Sequence, residues 1–349
     1  MKRMLAVLLV MVAAPLAAIL PASAAEKPTT ITLVTHDSFA ISKPVLREFT
    51  KQTGIKVKLL RSGGDAGTAL NQVILTKDHP IGDVFFGVDN TFLGRALDND
   101  VFEVYRPAAL DDVGTEWQLD STNRLTPIDH GDVCINYDKK WFAKKGIPAP
   151  ATLDDLTKPA YEDLLVVEDA ATSSPGLAFM LATIARYGES GWRDYWEKLS
   201  ANGVEVVDDW TAAYEGQFTQ GGGNGTRPLV VSYASSPPAA VYYSDPQPKT
   251  SPIGTMLDSC FQQVEFAGVL KGTEHRAEAR ELVDFMLSER FQADIPLSMF
   301  VFPVRDDTPL PPVFEKFAEV APNPLTLPAS DIAKHRDEWI EQWTQTVLR

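Results

Sequence analysis

Histidine and cysteine are scarce in this sequence, and their scarcity narrows its chemistry early. The five histidines, at positions 36, 79, 130, 275 and 335, are scattered, with no H-E-x-x-H pair, and no G-x-S-x-G elbow is present. A zinc hydrolase and a serine hydrolase therefore both lack their usual sequence basis. His36 and Asp37 could supply a general base, but adjacent side chains usually point apart, which leaves a periplasmic hydrolase as a weak alternative. The two cysteines, Cys134 and Cys260, are far apart and form no C-x-x-C clip, so no local redox or zinc motif exists. Cationic residues are also in deficit, with 32 Lys and Arg against 47 Asp and Glu and a formal charge of -15. This balance argues against a nucleic acid partner, which needs clustered Lys and Arg, and is compatible with a cationic ligand. Beyond the N-terminus, no segment has the roughly 20 apolar residues of a membrane-spanning helix.

What is present begins with an export signal over residues 1–24. Lys2 and Arg3 precede an apolar run over 4–20, and Pro21-Ala22-Ser23-Ala24 supplies small residues for cleavage. Cleavage would remove Lys2 and Arg3 and take the formal charge from -15 to -17. Export places the mature chain in the periplasm, where an even pair of cysteines is expected to be oxidised, so Cys134 and Cys260 are expected to form a disulfide. The mature chain, of about 325 residues, is long enough for two domains of ordinary size. Its 44% hydrophobic and 23% charged residues are those of a globular protein.

Along the chain, β-rich runs alternate with segments of helical spacing. Strands are expected over 31–35, 55–60 and 84–88, with helices over 43–50 and 68–76 between them. This alternation implies an α/β fold with a parallel sheet covered by helices, in which ligands sit at the carboxyl ends of the strands. His36-Asp37-Ser38, Asp65-Ala66-Gly67 and Asp89-Asn90 fall at those ends. Strand-like runs over 132–137 and 261–270 read as connections between two lobes. Between them lie strands over 164–167, 204–207 and 228–232 and helices over 177–186 and 192–199, so a second lobe is inserted into the first. We expect the first lobe over 25–132, the second over 133–261, and a return with C-terminal helices over 262–349, including a helix over 274–289. Gly221-Gly222-Gly223-Asn224-Gly225 reads as a flexible loop, because it lacks the Gly-Lys-Ser/Thr ending of a phosphate loop.

A set of short motifs carries a more specific signal. They are Thr35-His36-Asp37-Ser38-Phe39-Ala40, Gly87-Val88-Asp89-Asn90, Asp129-His130-Gly131, Tyr137-Asp138-Lys139, Thr172-Ser173-Ser174-Pro175-Gly176-Leu177, Trp210-Thr211-Ala212-Ala213-Tyr214 and Ser232-Tyr233-Ala234-Ser235-Ser236-Pro237. In this order the chain resembles the thiamine-binding periplasmic proteins of ABC transporters, a group that is related to the ferric-ion binders. The resemblance implies a two-lobed periplasmic binding protein fold, each lobe a mostly parallel sheet flanked by helices, with a ligand cleft between the lobes that closes by hinge motion. It also implies a monomer that captures thiamine or its phosphate esters and delivers the ligand to a membrane permease, with no cofactor and no catalysis.

Several residues match the family's binding positions. Trp210 and Tyr233 match its stacking aromatics, and Asp65 with Ala66 matches an acidic loop expected near the cation or amine. Ser173, Ser174, Ala234, Ser235 and Ser236 match backbone and hydroxyl donors, while His36, Asp37, Asp89 and Phe300 complete the expected ligand set. The chain departs from the pattern at Ala239, where a second aromatic occurs in some members, at His36 in place of a Tyr, and at Phe300 in place of a Trp. Tyr242 or Tyr243 would supply the missing ring. Alternatively, Tyr242 and Tyr243 together would serve as phenolate ligands of a ferric-ion binder.

Overall fold

The computed structural model describes residues 29–348. The export signal expected over 1–24 lies outside the described residues. Among the described residues there are nine strands: β1 Thr30–Thr35, β2 Lys56–Arg61, β3 Val84–Asp89, β4 Thr126–Asp138, β5 Leu165–Glu168, β6 Glu205–Val207, β7 Leu229–Tyr233, β8 Ile253–Val269 and β9 Phe302–Pro303. They form one sheet in the order β2-β1-β3-β8-β4-β7-β5-β6, with β9 paired to β4.

Local chemistry accounts for these elements. β3 is buried along its whole length, as its continuous apolar run Val84-Phe85-Phe86 demands. β2 is an edge strand whose alternating Lys56 and Lys58 face solvent and discourage pairing with another chain. The helix Lys43–Thr53 starts with a proline in its first turn, buries Val45 and Phe49 one turn apart, and stops at Gly54 in the left-handed region.

The pairing separates two lobes. β1 runs parallel to β2 and β3, and β5 runs parallel to β6 and β7. β8 joins the first group antiparallel to β3, and β4 joins the second antiparallel to β7. β4 and β8 are long enough to belong to both lobes, pairing with each other from Thr126–Ala267 at one end to Asp138–Ile253 at the other. β8 therefore begins eight residues before the strand expected from sequence. Its first half, Gly254-Thr255-Met256-Leu257-Asp258-Ser259, interleaves polar and apolar residues and hides the strand.

The β4–β8 ladder shifts register between Val133 and Ile135, so the sheet is bulged midway between the lobes. Ser259 fills the bulge: its hydroxyl accepts from Ile135 N at 2.8 Å and donates to Met256 O at 2.7 Å. Cys134 and Cys260 form a disulfide here, with their Cα atoms 4.2 Å apart. The expected crosslink is present, and it fastens the two strands that cross between the lobes.

The helices expected over 177–186 and 192–199 lie in a longer segment, Ser174–Ala201, broken at Gly188, whose φ of 66° and ψ of 175° interrupt the helix. The return segment does not stay on the first lobe. The helix Pro312–Phe317 packs on Pro237–Tyr242 of the second lobe. The C-terminal helix Ala329–Val347 packs on both Leu93–Asp98 and Ser174–Ala201. Trp343 meets Trp196 edge to face at 5.5 Å, and the Arg336 guanidinium lies 4.3 Å from the centre of the Phe92 ring. This helix thus braces the two lobes against each other. Among the described residues no helix is long and apolar enough to cross a membrane.

Candidate functional site

A cavity of about 520 Å³ opens between the lobes, a volume suited to a small organic molecule. The first lobe contributes His36 from the end of β1, Asp65 and Ala66 at the start of the helix Ala66–Leu75, Glu265 from β8, and Phe300 from the loop before β9. The second lobe contributes Ser174 at the start of its long helix, Trp210, Tyr214, Tyr233 and Ser236.

Asp65 ties the lobes together. It stands at the N-cap of its helix, but its side chain makes no cap bond. Instead Oδ2 reaches the other lobe and accepts from Ser173 Oγ at 2.6 Å and from Trp210 N at 3.0 Å. Burial raises the Asp65 pKa, and the Ser173 hydroxyl opposes that rise. Beside it, a Cβ on Gly67 would lie 2.7 Å from Thr172 O of the second lobe and 2.8 Å from the Phe92 ring. Only glycine permits this approach. We expect Gly67→Ala to hold the lobes apart and weaken ligand binding about tenfold, the cost of an overpacked contact being about 1–3 kcal/mol. Calorimetric titration checks this, and unchanged affinity would show that closure does not need the contact.

The aromatic wall is built on an unusual turn. The segment Thr211–Gln217 is π-helical, with Phe218 N donating to Ala213 O, and such turns recur at functional sites. It places Tyr214 parallel to Trp210, with ring centroids 4.8 Å apart and planes inclined by 14°. Trp210 Nε1 donates to Ser232 Oγ at 3.0 Å, which fixes the indole edge. Ser232 is in turn 2.9 Å from Ser236 Oγ, and the Tyr233 hydroxyl donates to Gln263 Oε1 at 3.4 Å. Phe300 adopts a φ of 56°, and its ring lies 5.6 Å from Tyr243 across the mouth.

His36 Nδ1 lies 2.8 Å from Ser38 Oγ, and its Nε2 is 3.5 Å from Glu265 Oε1. Burial lowers its pKa, but the Glu265 carboxylate, with help from Asp65 and Asp37, outweighs this and leaves it raised.

Not every residue expected at the ligand borders the cavity. Asp37 is spent on the backbone, accepting from Gly63 N at 3.0 Å and Gly64 N at 2.9 Å. Ser173 is committed to Asp65. Ala234 packs with Cys134, Cys260 and Ala321, and Ser235 is buried. Asp89 is buried, with Oδ1 accepting from Thr91 N, Thr91 Oγ1 and Phe92 N. His130 of the Asp129-His130-Gly131 motif lies stacked between Trp117 at 3.9 Å and Phe302 at 5.4 Å, and burial pushes its pKa down to about 4. The Gly221–Gly222 backbone does border the cavity, and Gly222 N donates to Glu215 Oε2 at 2.9 Å. Of the tyrosine pair, only Tyr243 borders the cavity. Among the described residues no group of three or more His, Cys, Asp or Glu could hold a metal ion.

Burial pushes Asp89 up to about 6, against the pull of the Ser174 and Thr91 hydroxyls. A folded pKa above the unfolded value of about 3.9 means that ionised Asp89 costs stability above pH 6, and that the cost fades as pH falls through 6. Asp89→Asn keeps the accepting oxygen and removes the charge. We expect the variant to be about 2 kcal/mol more stable than the wild type at pH 8, with no advantage at pH 4. Denaturant melts at the two pH values measure this, and an equal difference at both would refute the assignment.

The profile of the bacterial extracellular solute-binding protein family matches residues 79–334. The chain belongs to this family. The solute-binding protein is 29% identical over 340 residues to the thiamine-binding periplasmic protein of Escherichia coli (strain K12), covering 96% of this chain and 98% of that one. Its fold superposes on a solved periplasmic thiamin binding protein with a TM-score of 0.77 at 27% identity, over 92% of this chain and 96% of that chain. An apo ferric ion-binding protein A from Pasteurella haemolytica superposes with a TM-score of 0.70 at 17% identity, covering 91% and 98%, and shows the fold alone. As a member of this family the protein works outside the cytoplasm, as a solute-binding component of an ABC importer.

Proposed function

We propose that the protein captures thiamine or a thiamine phosphate ester as cargo in the interlobe cavity, without transforming it, and presents it to a membrane permease. The observation that carries this reading is the Trp210–Tyr214 stack bordering the cavity, with Tyr233 and Glu265 in the same walls. A flat aminopyrimidine joined to a thiazolium cation wants aromatic faces and a carboxylate. The two helix starts at Ala66 and Ser174 both border the cavity, one from each lobe, and their N–H groups suit an anionic phosphate tail. Delivery as cargo also fits a bridge of two hydrogen bonds from Asp65 to Ser173 and Trp210, which can open again.

The test is native mass spectrometry of the purified protein, followed by calorimetric titration of the stripped protein with thiamine, thiamine monophosphate and ferric ion. We expect a thiamine-class mass, and its release chemically intact after incubation. Turnover of the ligand would refute passive capture. Iron binding with colour, and no thiamine binding, would favour the tyrosine pair instead.

A further inference from the structure

The carboxylate expected from sequence to meet the ligand's positive charge is Asp65, yet both contacts to its Oδ2 are donors from the opposite lobe. A second carboxylate of the same lobe, Glu265, also borders the cavity. Glu265 lies on β8 in register with Asp89 of β3 on one side and Asp129 of β4 on the other. Three carboxyl groups at directly opposed positions on adjacent strands repel one another, and each is buried. Their surroundings differ. Asp89 has one oxygen held by three donors. Asp129 is buried with no donor to either oxygen, and burial and the charge of Glu265 hold its pKa well above the usual carboxylate range. Glu265, its side chain 9% exposed, is the one of the three that borders the cavity.

The neighbouring imidazole does not use up that carboxylate. His36 Nε2 is 3.5 Å from Glu265 Oε1 and is buried with no hydrogen-bond partner, so the contact is loose. Gln263 and Glu265 are two positions apart on β8 and project to the same face, where Gln263 accepts from the Tyr233 hydroxyl. An aromatic ring, a half-satisfied imidazole and a carboxylate therefore meet at one wall of the cavity.

We propose that Glu265, with Asp129 directly opposite it on β4 as a positioning residue, recognises the positive charge of the ligand's ring and sets the preference for a cation over a neutral molecule of the same shape. This rests on the thiamine-class reading above. A carboxylate in a water-poor cleft discriminates charge far more strongly than one in water, because little solvent screens it.

The experiment compares thiamine with its neutral isostere, in which a thiophene replaces the thiazolium ring, by calorimetric titration of the mature protein. The wild type is expected to bind thiamine at least about tenfold more tightly than the isostere. Glu265→Gln should bring that ratio to within about threefold by weakening thiamine alone. Glu215→Gln, at a carboxylate on the second-lobe wall of the cavity, should leave the ratio unchanged. Asp129→Asn should keep the ratio, while Asp129→Leu should lower it without changing affinity for the isostere, which a merely structural role would also move. A folded Glu265→Gln protein with the wild-type ratio overturns the proposal. If that variant does not fold, equal binding of the two ligands by the wild type overturns it as well. Absence of thiamine binding by the wild type would instead overturn the thiamine reading, and this inference with it.

Discussion

Trp210→Ala is expected to bind thiamine at least about thirtyfold more weakly than the wild type while remaining folded. One face of the indole is covered by Tyr214, and the ring borders the cavity, so the free face is available to a cationic ring. A cation over an indole in a desolvated cleft contributes about 2 kcal/mol, and each 1.4 kcal/mol is about a factor of ten in affinity. The backbone N–H that bridges to Asp65 survives the substitution, so the lobe contact is retained. What the free protein loses is the hydrogen bond to Ser232 and the stack on Tyr214, together about 1–2 kcal/mol. A tryptophan buried in the core would instead cost about 3–5 kcal/mol and alter affinity only through unfolding. Trp210→Phe keeps a ring without the Nε1 donor and should lie between the two proteins. Calorimetric titration and denaturant melts of the free variant separate these cases, and unchanged affinity in folded Trp210→Ala removes the indole from the site.

The sequence reveals elements where one local rule suffices. The apolar run 84–88 fits a buried strand and is one, and the two helical patterns over 177–186 and 192–199 are separated in the structure at Gly188. It is less informative where a side chain has two uses that look alike. Asp37, Asp65 and Asp89 all follow strands, in loops where ligands collect. Asp89 turns back onto the N–H groups of its own turn, Asp37 holds Gly63 N and Gly64 N of the loop after β2, and Asp65 crosses to the other lobe. No spacing rule distinguishes a carboxylate that caps its own turn from one that bridges a cleft. Tyr214 stands inside the Trp210-Thr211-Ala212-Ala213-Tyr214 motif, but nothing in the sequence says that its ring lies on Trp210, because that depends on the π-helical turn between them. Glu265 left one signal, a single charge inside the apolar run 264–270, but its meaning depends on the register that sets it between Asp89 and Asp129. The bracing role of Ala329–Val347 has no local signature, because it arises only when both lobes are in place.

Removal of the disulfide, by Cys134→Ser together with Cys260→Ser, should have the largest effect on stability and little effect on binding. The crosslink closes a segment of 126 residues, the whole second lobe. A loop of this length loses enough freedom in the unfolded chain for the bond to stabilise the native state by about 4–5 kcal/mol in the chain-entropy account. Within the folded protein the bond is less necessary. β4 and β8 pair on both sides of it, Thr126–Val133 in the first lobe and Ile135–Asp138 in the second, and Ser259 satisfies the bulge between them. The lobes therefore keep their register without the sulfur bridge. We expect the double variant to unfold at clearly lower denaturant concentration, with a loss of about 3–5 kcal/mol, while its affinity for thiamine below the transition stays within about threefold. Serine hydroxyls placed in a buried apolar cluster with Ala234 and Ala321 would add to that loss, so a Cys134→Ala and Cys260→Ala pair is the cleaner comparison. Equal stability of the alanine pair and the wild type would mean that the unfolded chain is already constrained without the bond. A large loss of affinity in a folded variant would mean that the bulge, held by the crosslink, sets the angle at which the cleft closes.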